Sequence, residues 1–193
     1  MMPDAAQVLH EVTLEVTECL KKIEPTTLAQ AATIIAETET IFLAGAGRSR
    51  LSISGFAMRL MHLGKKAWLI GEVSTPAIKE GDLLVIGSGS GETNGLILMA
   101  QKAKKIGAKI LLITREVDST IGQMADLEAR IPALSLKAFN SDGAHSVVQP
   151  GGSLFEQCLL ILSDMLILII MRTNPEKYDL RKDGVFLLHA NLE

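Results

Sequence analysis

The chain has 193 residues, 48% of them hydrophobic and 21% charged, with a formal net charge of -3. That length suits one domain with a substantial core, and that composition excludes a disordered chain. A pI near 5.8 offers no basic surface for nucleic acid, so any anion site must be built locally from amides and a few side chains.

In chain order, Val8, Leu9, Val12, Val16, Cys19, Leu20 and Ile23 fall at helical spacing and predict an amphipathic N-terminal helix. Residues 1–8 lack a basic start followed by an apolar stretch, so no signal peptide is expected. Pro25-Thr26-Thr27 ends the first helix and starts another through about Glu37. From Thr40 the pattern becomes strand, loop, helix, repeated. Strand-like runs lie at 41–44, 67–70, 83–86 and 110–114, with a weaker fifth at 127–131. Helices are predicted at 48–63 and 93–106, with a short one near Ile121. Short, almost wholly apolar strands alternating with helices imply an α/β fold with a parallel sheet covered on both faces.

A loop over 134–152 follows, carrying Asn140, Ser141, Asp142, Gly143, Pro150, Gly151 and Gly152, and its length points to a functional role. The next helix is predicted at 153–172. Its apolar run, 158–171, is broken by Ser163 and Asp164 and is shorter than the ~20 residues of a membrane span. It reads as a buried or interface helix, so no membrane partner and a cytoplasmic location are expected. Cys19 and Cys158 have neither metal-site spacing nor a disulfide framework and read as small buried hydrophobes. No metal-ligand cluster is evident.

Two glycine-serine loops carry the chemistry. Gly45-Ala46-Gly47-Arg48-Ser49 closes the first strand, and Ser88-Gly89-Ser90-Gly91-Glu92-Thr93 closes the third. Both precede helices, where glycines admit an anion to the backbone and helix-opening amides and hydroxyls bond its oxygens. Such loops also serve as plain turns and helix caps. Their pairing favours a phosphate monoester, whose several oxygens need several donors. Arg48 can add a charged contact.

A dinucleotide fingerprint fails here because Arg50 occupies its third glycine position, and neither cluster carries the Lys-Ser or Lys-Thr of a Walker loop. Glu156, just inside the helix at 153–172, is placed where the dipole keeps a carboxylate ionised. That position suits a general base and equally an ordinary first-turn glutamate. His189, near the end of the chain, can exchange protons near neutrality or simply be solvated.

The loops at 45–49 and 88–93 resemble the sugar isomerase (SIS) domain, with its Gly-x-Gly-x-Ser and Ser-x-Ser-Gly-x-Thr patterns. More narrowly, the chain is similar to the 6-phospho-3-hexuloisomerase family. Phe56-Ala57-Met58-Arg59-Leu60-Met61-His62, Gly152-Ser153-Leu154-Phe155-Glu156 and His189-Ala190-Asn191-Leu192-Glu193 carry that likeness, which covers essentially the whole chain. It implies one SIS domain over 1–193, with an N-terminal helical segment and a C-terminal helical tail. The implied architecture is a three-layer α/β/α SIS-type sandwich around a five-stranded parallel sheet.

The implied activity interconverts D-arabino-hex-3-ulose 6-phosphate and D-fructose 6-phosphate through an enediol, without metal or other cofactor. By resemblance, Gly47, Arg48, Ser49, Ser88, Gly89, Ser90, Gly91, Glu92 and Thr93 hold the phosphorylated ketohexose. Glu156 maps to the catalytic base, and His189 to a second proton carrier in its own or a neighbouring subunit. A homotetramer with active sites near subunit interfaces is implied, as is a place in formaldehyde fixation by the ribulose monophosphate pathway, beside a hexulose phosphate synthase. Two residues depart from the family pattern: Arg50 stands for an expected Gly, and Gly151 for an expected Met. Another SIS sugar-phosphate isomerase, or a non-catalytic sugar-phosphate sensor, would use the same loops.

Overall fold

The computed structural model describes residues 4–134, 148–178 and 188. Helix α1 (Ala5–Leu20) opens at Asp4, whose carboxylate accepts from the Ala6 N–H at 3.0 Å. Helix α2 (Pro25–Glu37) opens on a proline, at the position where an N–H would lack an intrahelical partner. The sheet then alternates with helices: β1 (Thr40–Gly45), α3 (Gly47–His62), β2 (Lys66–Leu69), β3 (Leu83–Gly87), α4 (Asn94–Ile106), β4 (Lys109–Thr114) and β5 (Leu127–Arg130). A 3₁₀ turn (Gly122–Met124) precedes β5, and the long helix α5 (Ser153–Thr173) follows it. Every predicted strand end, and every end of α3, α4 and α5, falls within one residue of its expected place.

All strands pair in parallel, in the order β2-β1-β3-β4-β5. Because strand side chains alternate, each strand feeds two cores. Ile41, Leu43, Leu83, Val85, Leu111 and Ile113 face α1, α2, α3 and α5. Phe42, Ala44, Leu84, Ile86, Ile110 and Leu112 face α4 and the 3₁₀ turn. Helices thus cover both faces of a five-stranded parallel sheet, which is the three-layer α/β/α sandwich. Fully burying each such Leu, Ile or Phe stabilises the fold by roughly 1.5–3 kcal/mol.

The chain winds outward from β1 to β2 on one side, then restarts at β3 and winds to β4 and β5 on the other. The reversal leaves a crevice between the carboxyl ends of β1 and β3, where Gly45 pairs with Gly87. Helices α3 and α5 run side by side in the same direction. Ser52 bonds the Glu156 carbonyl, Gly55 faces Leu160, and Arg59 pairs with Asp164. Both helices therefore open at the crevice.

Helix α5 is long and apolar enough to cross a membrane by length and composition, but ten of its residues pack into the core. Cys19 and Cys158 are buried and unbridged, as expected of small core hydrophobes. The apolar face of α1 is covered only toward its end: Cys19 is buried, while Leu9 is 70% exposed. Most of the predicted 134–152 loop, its 135–147 stretch, and the C-terminal tail with His189 lie outside the described residues.

Candidate active site

Three chain segments meet at the crevice: the loop from β1 into α3, the loop from β3 into α4, and the first turn of α5. Gly47 opens α3 at φ 56, a left-handed conformation that glycine adopts without strain. Arg48 and Gly47 are exposed and Ser49 is half-buried. The Arg48 Nε donates to Glu156 Oε2 at 2.5 Å. The side chain of Arg48 is 64% exposed and that of Glu156 only 16%, so the pair sits at the mouth with its carboxylate tucked in. Among the described residues the two guanidinium Nη groups of Arg48 have no further partner.

Glu156 is held from below as well as from the side. Its N–H donates to the Gly152 carbonyl at 3.0 Å, and its own carbonyl accepts from Ser52 Oγ at 2.8 Å. Ser52 is buried on α3, so this bond fixes the first turn of α5 against α3. A Cβ on Gly152 would lie 3.4 Å from Glu156 Oε1, so the glycine leaves the carboxylate room.

The second loop packs against the residue that precedes Glu156. A Cβ on Gly89 would meet the Phe155 ring at 3.2 Å, which sets the loop directly against the residue before the carboxylate. Ser88 is buried on the loop floor, its Oγ accepting from the Gly91 N–H at 3.1 Å. Ser90 Oγ accepts from the Glu92 N–H at 3.2 Å. Both hydroxyls use a lone pair this way, leaving their hydrogens as donors. Thr93 caps α4 with its carbonyl, which accepts from the N–H groups of Leu96 and Ile97, each at 2.9 Å.

Glu92 points elsewhere. Its carboxylate accepts from the Thr120 N–H at 2.6 Å and from Thr120 Oγ1 at 2.8 Å. These two bonds, backbone first, hold the Glu92 carboxyl below its ordinary value. Thr120 and its neighbour Ser119 were not among the expected site residues. They sit past the carboxyl end of β4, and the rule that led to the loops after β1 and β3 applies to that strand end too.

Arg50 turns away from the crevice and donates to the Ile70 carbonyl at 2.7 Å and to Glu72 at 2.8 Å, pinning the segment that leaves β2. Gly151 adopts φ 61 with open space around it, giving the chain a left-handed turn just before α5. His189 lies outside the described residues, so Glu156 is the expected catalytic group whose surroundings are defined.

A model of the SIS domain family matches residues 34–141. The chain is 47% identical over 164 residues to the 3-hexulose-6-phosphate isomerase of Bacillus subtilis, covering 85% of each chain. It is 37% identical to the enzyme of that name from Mycobacterium gastri, over 98% of this chain and 92% of the other. A crystal structure from Methanococcus jannaschii, from which a 3-hexulose-6-phosphate isomerase function was inferred, superposes with a TM-score of 0.79 at 32% identity. That match covers 96% of this chain and 98% of the other.

Proposed function

The chain belongs to the SIS domain family, and on that premise we propose that it interconverts D-arabino-hex-3-ulose 6-phosphate and D-fructose 6-phosphate. The observation that carries this reading is the place of Glu156 between the two strand-end loops. Its carboxylate holds Arg48 of the first, and its neighbour Phe155 abuts Gly89 of the second. A phosphate gripped by the loops extends its sugar carbons toward the carboxylate.

The reaction moves a ketone between C3 and C2 through a 2,3-enediol. Glu156 takes the C2 proton in one direction and the C3 proton in the other, returning it to the adjacent carbon. The free Nη donors of Arg48 polarise the two oxygens as charge develops on them. Holding the distant phosphate turns binding energy into alignment at the reacting carbons. A 3-ketose whose O6 is phosphorylated cannot close the usual five-membered ring and arrives open, whereas fructose 6-phosphate must open first.

His189 is proposed as the second proton carrier, from its own or a neighbouring subunit of a homotetramer. A cytoplasmic setting is proposed as well, with a hexulose phosphate synthase supplying the substrate from formaldehyde and ribulose 5-phosphate. The test supplies that synthase with ribulose 5-phosphate and formaldehyde and follows fructose 6-phosphate with and without this protein. Formation that depends on the protein is expected. No formation by folded protein would overturn the reading, and retained sugar-phosphate binding would then point to another substrate or a sensor.

A further inference from the structure

The mechanism leaves Glu92 without a part, although it stands inside the loop assigned to phosphate. A carboxylate facing a phosphate would repel it. Here the carboxylate is turned onto Thr120, accepting at 2.6 Å and 2.8 Å. The segment around Thr120 holds the same loop at further points. The Gly89 carbonyl accepts from Thr114 Oγ1 and from the Arg115 N–H, each at 3.3 Å, and the Gly91 carbonyl accepts from the Ile121 N–H at 3.2 Å.

A Cβ on Gly91 would fall 2.1 Å from Ser119 Oγ, so the Gly91 backbone abuts the Ser119 side chain. Asp118 adopts φ 58, a left-handed turn that aspartate tolerates, and it delivers Ser119 and Thr120 to the loop. In a trans peptide the carbonyl and the following N–H point in opposite directions. Fixing the carbonyls of Gly89 and Gly91 onto 114–121 therefore aims the Ser90 N–H away from that segment, toward the loop's other side, where the Glu92 N–H meets Ser90 Oγ.

We propose that Glu92 is a positioning residue: clasped by Thr120, it locks the 88–93 loop in its anion-binding shape and keeps its own charge off the anion. The proposal rests on the sugar-phosphate reading above. Its test titrates the full chain calorimetrically with fructose 6-phosphate and, separately, with inorganic phosphate. The variants are Glu92→Ala, Glu92→Gln and Thr120→Val, with a melting curve for each.

Glu92→Ala and Thr120→Val are expected to bind both ligands about tenfold more weakly, as loss of a charge-assisted hydrogen bond implies. Glu92→Gln recovers most of the affinity, because its amide can still accept from the Thr120 N–H and donate to Oγ1. KM follows the dissociation constant, while kcat changes by less than about threefold. Where Glu92→Ala melts early, Thr120→Val carries the test, since it keeps the backbone bond and the side-chain shape. Wild-type protein that binds neither ligand would end the sugar-phosphate reading itself. Wild-type protein that binds, with Glu92→Ala and Thr120→Val binding equally well, would overturn the role of Glu92 alone. Tighter binding by Glu92→Ala would also overturn it, by placing the carboxylate against the anion.

Discussion

Glu156 gains its surroundings from residues far away in sequence. Arg48, 108 positions earlier, meets its carboxylate, and Ser52 fixes its backbone. Glu156→Gln keeps the shape and removes the proposed base. Turnover should fall by about 10²- to 10⁴-fold, the usual scale of general base catalysis, with fructose 6-phosphate affinity changed by less than about threefold. Steady-state kinetics paired with calorimetry checks this, and near-normal turnover would remove Glu156 as the base. The position of Glu156 in a first helical turn was legible in the sequence, because helix starts have local signals. Its contact with Arg48 was not, since it depends on how α3 packs on α5. Arg50 shows the same limit: sequence placed it beside the site, and its partners Ile70 and Glu72 draw it to the end of β2.

Among the elements, the strands were readable because a sheet covered on both faces needs short, continuous apolar runs, and β3 buries all five of its residues. The loops were readable because glycine and serine cluster at the strand ends. What no local pattern carries is how one loop leans on another. Glu92 reads as a ligand contact from its place in the motif, yet its carboxylate is bound to Thr120, 28 residues on. Gly91 holds the tightest point of that contact: it sits at φ 63, and a Cβ added there would fall 2.1 Å from Ser119 Oγ and 2.5 Å from Ser119 Cβ. Gly91→Ala should therefore destabilise the protein by about 1–3 kcal/mol, through left-handed strain and displacement of Ser119. Gly95→Ala is the control, because its Cβ meets nothing within 4 Å and it lies inside α4. It should be neutral or stabilise by about 0.5–1 kcal/mol. Denaturant melts of the two variants decide the point, and equal stability would show that the abutting loops relax freely.

At the scale of the whole molecule, the helices that open at the crevice also carry apolar side chains on their outer faces. On α3 these are Leu51, 71% exposed, and Met58; on α5 they are Leu160 and Leu168. Gly55 lies between Leu51 and Met58 along α3 and lets Leu160 approach, so these three side chains form a joined patch across the two parallel helices, parted from Leu168 by the Arg59–Asp164 pair. A joined apolar patch marks a surface that other protein covers. Each leucine buried there would contribute roughly 1.5–3 kcal/mol to association. Sedimentation should therefore find wild-type protein heavier than its 20.8 kDa chain, and the Leu51→Glu, Leu160→Glu double variant at chain mass. A wild type that sediments at chain mass would end the proposal of an oligomer. The dissociated variant also locates the second proton carrier. If a neighbour supplies His189, it should bind fructose 6-phosphate and turn it over poorly; retained turnover would place that group within one subunit, because α3 and α5 keep Arg48 and Glu156 together without a partner.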